Sequence, residues 1–206
     1  MTTVYLIRHG TNDWLGRRLP GWSPDLHLNP LGMAQAEALV GLLREVRFEA
    51  IYSSPLPRAV ETARPLARAR RLPVRRRVGL AEMKVGSWQG QPLRRLRRRK
   101  LWPVIQFTPS RARFPGGESF VEANARVVGE LEALRRAHPS RRSAIACFSH
   151  GDIIKLAVAH VLGLPLDLFQ RIVIEPASIT VVHFSEGHAV VRSLNDTRAA
   201  EAAGHG

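Results

Sequence analysis

The strongest constraint on the fold is an alternation. Short apolar, β-prone runs at Val4–Ile7, Glu49–Tyr52, Val74–Val78 and Ser143–Phe148 are separated by stretches of helical character. Strands that alternate with helices favour a mainly parallel sheet, because parallel neighbours need a crossover and each crossover helix buries an apolar stripe on a sheet face. The first helix has Asn29 as N-cap and Pro30 at its first position, ahead of the stripe Leu31, Ala34, Ala38, Leu39, Leu42, Leu43 and Val46. Ala59–Arg70 is helical in composition, with Pro65 expected to kink or split it. Ser119 and Glu122 have capping-box spacing before a helix that runs to about His138. Asp152 is placed to cap a further helix, which Gly163 stops. Ile172–Ile174, Ile179–Phe184 and Ala189–Leu194 are β-prone, the last two forming a hairpin across Glu186 and Gly187. The expected fold class is α/β, a three-layer α/β/α sandwich around a mainly parallel sheet. Residues 1–197 are read as one domain and residues 198–206, rich in Ala and Gly, as a flexible tail.

In sheets of this kind ligands bind beyond the carboxyl ends of the strands, and those ends carry reactive side chains here. The first run delivers Arg8 and His9, and Gly10 leaves room for close backbone approach. The second run leads into Arg58, the third is followed by Glu82, and the fourth delivers His150. All arrive on one edge. A guanidinium can grip a phosphate in bidentate fashion while a neutral imidazole attacks phosphorus. Two histidines and a glutamate could instead ligate zinc. Two arginines in the same pocket would repel a divalent cation and attract an anion, so no metal is assigned.

Composition narrows the setting. At 206 residues the chain is long enough to bury one substantial core. No apolar run approaches the roughly 20 residues that span a bilayer, and the N-terminus lacks a basic region followed by an apolar segment, so a cytoplasmic location is expected. Cys147 is the only cysteine, which excludes a disulfide framework and reads as a buried, inert thiol. The net charge of +14 comes from 31 Lys and Arg against 17 Asp and Glu, with lysine only at positions 84, 100 and 155. Such a balance suits nucleic acid, an anionic membrane surface or acidic small substrates, and an arginine-biased genome would also produce it. The densest stretch, Gln91–Arg113, holds eight basic residues and no acidic one. It is either a solvated face or a segment that recruits additional negative charge.

With these residues in place, the chain resembles the histidine phosphatase superfamily, the group that contains cofactor-dependent phosphoglycerate mutase and many small bacterial phosphatases. The resemblance runs from Val4 to Phe184. It rests on Leu6-Ile7-Arg8-His9-Gly10, on Tyr52-Ser53-Ser54-Pro55-Leu56-Pro57-Arg58-Ala59 with Glu61-Thr62-Ala63, and on Leu80-Ala81-Glu82 with Gly86, Trp88 and Gly90. Pro115-Gly116-Gly117-Glu118-Ser119 and Ser149-His150-Gly151 complete it. It implies a phosphoglycerate mutase-like fold, His9 as nucleophile, Arg8, Arg58 and His150 as a clamp on the phosphoryl oxygens, and Glu82 as general acid and then base. Asn12, Gly21 and Gly151 are the implied substrate-binding positions, with no cofactor. Three positions depart from the family pattern: Thr11 where Glu or Gln is common, Asn12 where Ser or Thr is usual, and Leu15 where the mutases carry a phosphate-binding Asn.

The segment between the Glu82 motif and His150 is shorter than in the mutases, which favours hydrolysis over transfer. Gly21-Trp22 echoes a mutase-like stretch and keeps mutase-type transfer as the alternative. A third reading is a basic nucleic-acid-binding module with a dead site, supported by charge and opposed by the complete set of five site residues. The expected partner is a small anionic phosphomonoester, with no nucleic acid and no membrane, on a monomer or homodimer.

Overall fold

Residues 1–140 and 143–204 are described by the computed structural model. At its centre lies β1 (Thr2–Arg8), paired in parallel with β4 (Ser143–Ser149) and antiparallel with β5 (Ile179–Ser185). Beyond β4 come β2 (Ala50–Ser53) and β3 (Val74–Arg76), both parallel; beyond β5 comes β6 (His188–Asp196), antiparallel. The order β3-β2-β4-β1-β5-β6 therefore joins four parallel strands to an antiparallel hairpin.

Both faces of the sheet are covered, which is why β1 and β4 are apolar through their middles, Val4–Ile7 and 144–148, instead of alternating. Successive side chains point to opposite faces. Val4, Leu6, Ile145 and Cys147 pack with α5 (Phe120–Ala137) and α6 (Gly151–Val161). Ile7, Ile51, Ala146 and Phe148 pack on the other face with α1 (Pro30–Leu42) and α2 (Pro57–Arg70). Cys147 is fully buried, and burial pushes its thiol above the ordinary range. The expected caps are present: the Asn29 side chain accepts from Gly32 N–H, and Ser119 and Glu122 close a complete capping box.

Several sequence expectations are corrected. Pro65 does not split the second helix: α2 is continuous through it, and the one lost backbone bond is offset by burial of the ring beside Ala63, Leu66 and Ala67. Residues 198–204 are not a frayed tail but α7 (Arg198–Gly204), packed on α1 with Ala199 buried. Residues 205 and 206 lie outside the described residues. Ile172–Ile174 forms no strand; Ile172 and Ile174 anchor in the core, and the Ile174 carbonyl is occupied by the Arg8 side chain. Asp152 is not a cap, because α6 begins at Gly151 and His150 holds the N-cap position; the Asp152 carboxylate lies 3.5 Å from Lys155 Nζ. Within the basic stretch, α3 (Leu93–Leu96) and α4 (Leu101–Phe107) bury Leu96 and Ile105 while the arginines stay exposed. Among the described residues no helix is long and apolar enough to cross a membrane.

Candidate active site

Strand register brings the reactive ends level. Arg8 pairs with Ser149 and Ser53 with Phe148, so the residues that follow β1, β2 and β4 emerge side by side. The end of β1 is pressed against the start of α1: a Cβ on Gly10 would lie 2.6 Å from the Gly32 carbonyl oxygen, and one on Gly32 2.1 Å from that of Thr11. Neither position tolerates a side chain. The Thr62 hydroxyl accepts from Gly10 N–H at 3.0 Å and donates to the Arg58 carbonyl at 2.7 Å, which ties the β1 end to α2.

His9 is buried, and its Nδ1 lies 2.7 Å from the Gly10 carbonyl oxygen. A carbonyl can only accept, so Nδ1 carries the proton and Nε2 presents its lone pair. Burial, then the charges of Arg58 and Arg8, hold the imidazole well below the ordinary histidine range, so it stays neutral. Arg58 is wholly buried; its Nε donates toward His9 Nε2 at 3.3 Å and its Nη2 to the Gly21 carbonyl at 2.9 Å. Burial first, with the repulsion of Arg8, lowers it to about 10, against the attraction of Glu82. Arg8 Nη1 donates to the Ile174 carbonyl at 2.5 Å.

His150 lies with its ring centroid 5.2 Å from that of His9. Its Nε2 is 2.7 Å from Ser54 Oγ, which itself accepts from Leu56 N–H. Burial, followed by Arg58, His9, Arg8 and Arg126, keeps this ring neutral as well. A neutral ring that accepts the Ser54 hydroxyl proton at Nε2 carries its own proton on Nδ1. Three buried donor nitrogens, Arg8 Nε, Arg58 Nη1 and His150 Nδ1, have no hydrogen-bond partner among the described residues. Buried donors are almost always paired, and three orphans on Arg8, Arg58 and His150, the side chains grouped with His9, mark a place for an anion.

Glu82 stands opposite, its Oε2 3.9 Å from His150 Nδ1 and its side chain 13% exposed. Met83 N–H donates to its Oε1 at 3.0 Å. Burial first and the Asp152 carboxylate second push its carboxyl up to about 7, opposed by Arg58, the Met83 amide and Arg8. The turn that carries Glu82 is held from both sides. Trp22 Nε1 donates to the Glu82 carbonyl at 2.5 Å, and the Arg126 guanidinium donates to the carbonyls of Gly79, Ala81 and Glu82 while gripping both Glu118 oxygens.

A cavity of about 190 Å³ opens above these groups, and Arg8, His9 and Glu82 line it directly. Arg58 and His150 are buried beside His9. Of the remaining sequence candidates, Asn12, Gly21 and Gly151 also line the cavity. The Asn12 side chain caps a turn by accepting from Trp14 N–H. Gly21 has φ +50° and lends its carbonyl to Arg58, whereas Gly151 lets α6 pass the Arg8 guanidinium: a Cβ there would sit 3.4 Å from its Nε. Leu15 lies at the rim. Sequence reasoning missed Arg126, Ser54, Trp22 and Thr62 as site-supporting residues. Ser54 and Thr62 fell inside quoted motifs and so carried a signal; Arg126 looked like one more charge on a helix. Among the described residues no group of three or more His, Cys, Asp or Glu side chains is arranged to hold a metal ion.

Known proteins resemble this chain over nearly its whole length. Phosphoserine phosphatase 1 of Hydrogenobacter thermophilus is 30% identical over 201 residues, covering 96% of this chain and 93% of its own. The structure of Bacillus stearothermophilus YhfR superposes with a TM-score of 0.90 at 26% identity, over 97% of this chain and all of that one. Phosphoserine phosphatase from Entamoeba histolytica, solved in complex with 3-phosphoglyceric acid, gives 0.86 at 28% identity, over 97% and 100% of the two chains. Residues 4–197 match the sequence profile of the histidine phosphatase superfamily, branch 1, and the chain belongs to that superfamily.

Proposed function

We propose that this protein is a metal-independent phosphatase that hydrolyses small phosphomonoesters through a phosphohistidine on His9. One observation carries the reading: Arg8, Arg58 and His150, grouped with His9, each hold a buried nitrogen that lacks a partner among the described residues. Such donors suit a phosphoryl group, whose oxygens gain charge as it transfers, because they are fixed in place before the reaction.

The first step forms an Nε2–P bond and breaks the P–O bond to the leaving group. Arg8, Arg58 and His150 hold the three phosphoryl oxygens. The leaving alkoxide takes the proton of Glu82, whose elevation to about 7 keeps a large protonated fraction at neutral pH. In the second step the Glu82 carboxylate takes a proton from water, the oxygen attacks phosphorus and the N–P bond breaks. Phosphate leaves, with His9 neutral and Glu82 protonated again. Asn12, Gly21 and Gly151 shape the mouth and back of the pocket, and residues 1–197 act as one catalytic domain. Two of the named relatives are phosphoserine phosphatases, one of them solved with 3-phosphoglyceric acid, which supports a substrate of that size.

The test is a panel of phosphomonoesters assayed with EDTA for release of inorganic phosphate, wild type against His9→Ala. Activity should persist with the chelator and vanish in the variant. Activity that survives His9→Ala, or that is lost with EDTA, refutes the mechanism. Interconversion of phosphoglycerates without phosphate release would identify mutase-type transfer instead.

A further inference from the structure

The catalytic cavity adjoins a second depression, and four arginines converge on it. Gly16, Arg18 and Leu93 line both; Arg17, Arg94 and Arg97 line only the outer one, which has no acidic and no aromatic residue in its wall. Arg17 and Arg18 come from the loop after β1, and Arg94 and Arg97 from α3 and its C-cap. These segments lie more than 70 residues apart and are fastened by backbone bonds: Leu93 N–H to the Arg17 carbonyl at 2.9 Å, Leu19 N–H to Gln91 at 3.0 Å and Gly90 N–H to Leu19 at 2.8 Å. Arg18 is further fixed by donating to the Gly90 carbonyl and by lying over the Trp14 ring at 5.7 Å. The like charges are thus held together by the fold, although they repel.

These guanidiniums are also free to bind. The side chains of Arg17, Arg94 and Arg97 are exposed and make no hydrogen bond or ion pair with the described residues, whereas Arg77, Arg113, Arg126 and Arg135 each pair with a carboxylate. Guanidinium forks match phosphate oxygens in geometry as well as charge. A polynucleotide groove would combine such charge with aromatic platforms on which bases stack, and this wall offers none. The compact cluster beside the catalytic cavity fits one additional anionic group.

We propose that the preferred substrates are small bisphosphorylated compounds: one phosphoryl group enters the His9 site and the second is held by Arg17, Arg94 and Arg97. This rests on the reading of the His9 site as a phosphomonoesterase. It assigns the basic stretch a role in substrate selection.

The test uses α,ω-alkanediol bisphosphates of graded chain length and the matching alkanediol monophosphates, with wild type and an Arg17→Gln/Arg94→Gln/Arg97→Gln variant. For at least one length the bisphosphate should show a KM about ten-fold or more below that of its monophosphate, the yield of two exposed charge-assisted contacts. The advantage should shrink as ionic strength rises and disappear in the variant, whose monophosphate kinetics stay as in wild type. Equal KM values at every length, or a preference that the variant retains, overturn the inference and leave the phosphatase reading standing. Hydrolysis of neither series takes both down. A 5′-phosphorylated oligonucleotide that outcompetes every bisphosphate, through the same arginines, would also overturn it and assign the groove to polynucleotide.

Discussion

Replacing Glu82 with glutamine should make the protein more stable above neutral pH while removing most of its activity. In the folded state the carboxyl is pushed up to about 7 from an ordinary 4.5. Each tenfold change in proton affinity is worth about 1.4 kcal/mol, so ionising Glu82 in the folded protein costs about 3 kcal/mol more than in the unfolded chain. The sign follows from proton counts. Between pH 4.5 and about 7 the unfolded chain has released this proton while the folded protein retains it, so stability falls as pH rises through that window and the full penalty applies above it. Glutamine stays neutral and keeps an oxygen for Met83 N–H. The variant should therefore gain about 3 kcal/mol over wild type at pH 8 and about 1 kcal/mol at pH 5. Urea unfolding at both pH values, in phosphate-free buffer, measures the gain. A difference independent of pH, or a variant less stable than wild type at pH 8, would refute the claim that burial beside Asp152 elevates this carboxyl. The same variant should lose about 100-fold or more in kcat on alkyl phosphates, and much less on nitrophenyl phosphate, whose leaving group departs without a proton.

In the wild type, kcat/KM should decline as pH rises through about 7, where Glu82 ionises, and should show no acidic limb near the ordinary histidine range, because His9 is held well below it; a pH–rate profile checks both limbs. Arg126→Ala removes the grip on Glu118 and on the carbonyls of the turn that carries Glu82. It should cost about 3 kcal/mol in denaturant unfolding, as expected when one partner of a mostly buried pair is lost, and should slow alkyl phosphates more than nitrophenyl phosphate. Gly10→Ala forces a methyl against the Gly32 carbonyl and should destabilise by about 2 kcal/mol, measured by thermal or urea unfolding; an unchanged midpoint would show that the β1–α1 approach can relax.

Much of the site was legible because strand patterns end abruptly. Arg8 and His9 come straight after one apolar run and His150 one residue after another, and a run buried on both faces that stops at polar residues marks the edge where such a sheet opens. Arg58 could be placed in the same way through the turn after β2. Glu82 was legible as the acid only through the family resemblance, because nothing in its local sequence shows a raised proton affinity. It stands on no strand, and its position depends on Arg126 and Trp22, 44 and 60 residues away in sequence. The misjudged elements share one cause. Pro65, the Ala-rich tail and Ile172–Ile174 were read by local propensity, and each was decided by what it packs against: the α2 core face, α1, and the Arg8 side chain.

The sequence by itself determined the alternation of strands and helices, the buried faces and the set of reactive residues, because periodicity and capping act over a few positions of chain. Only the tertiary structure decided which nitrogen of His9 carries the lone pair, how far Glu82 is elevated and that Arg17 and Arg18 meet Arg94 and Arg97. Those properties depend on burial and on charge separations between distant segments, and no local spacing encodes them.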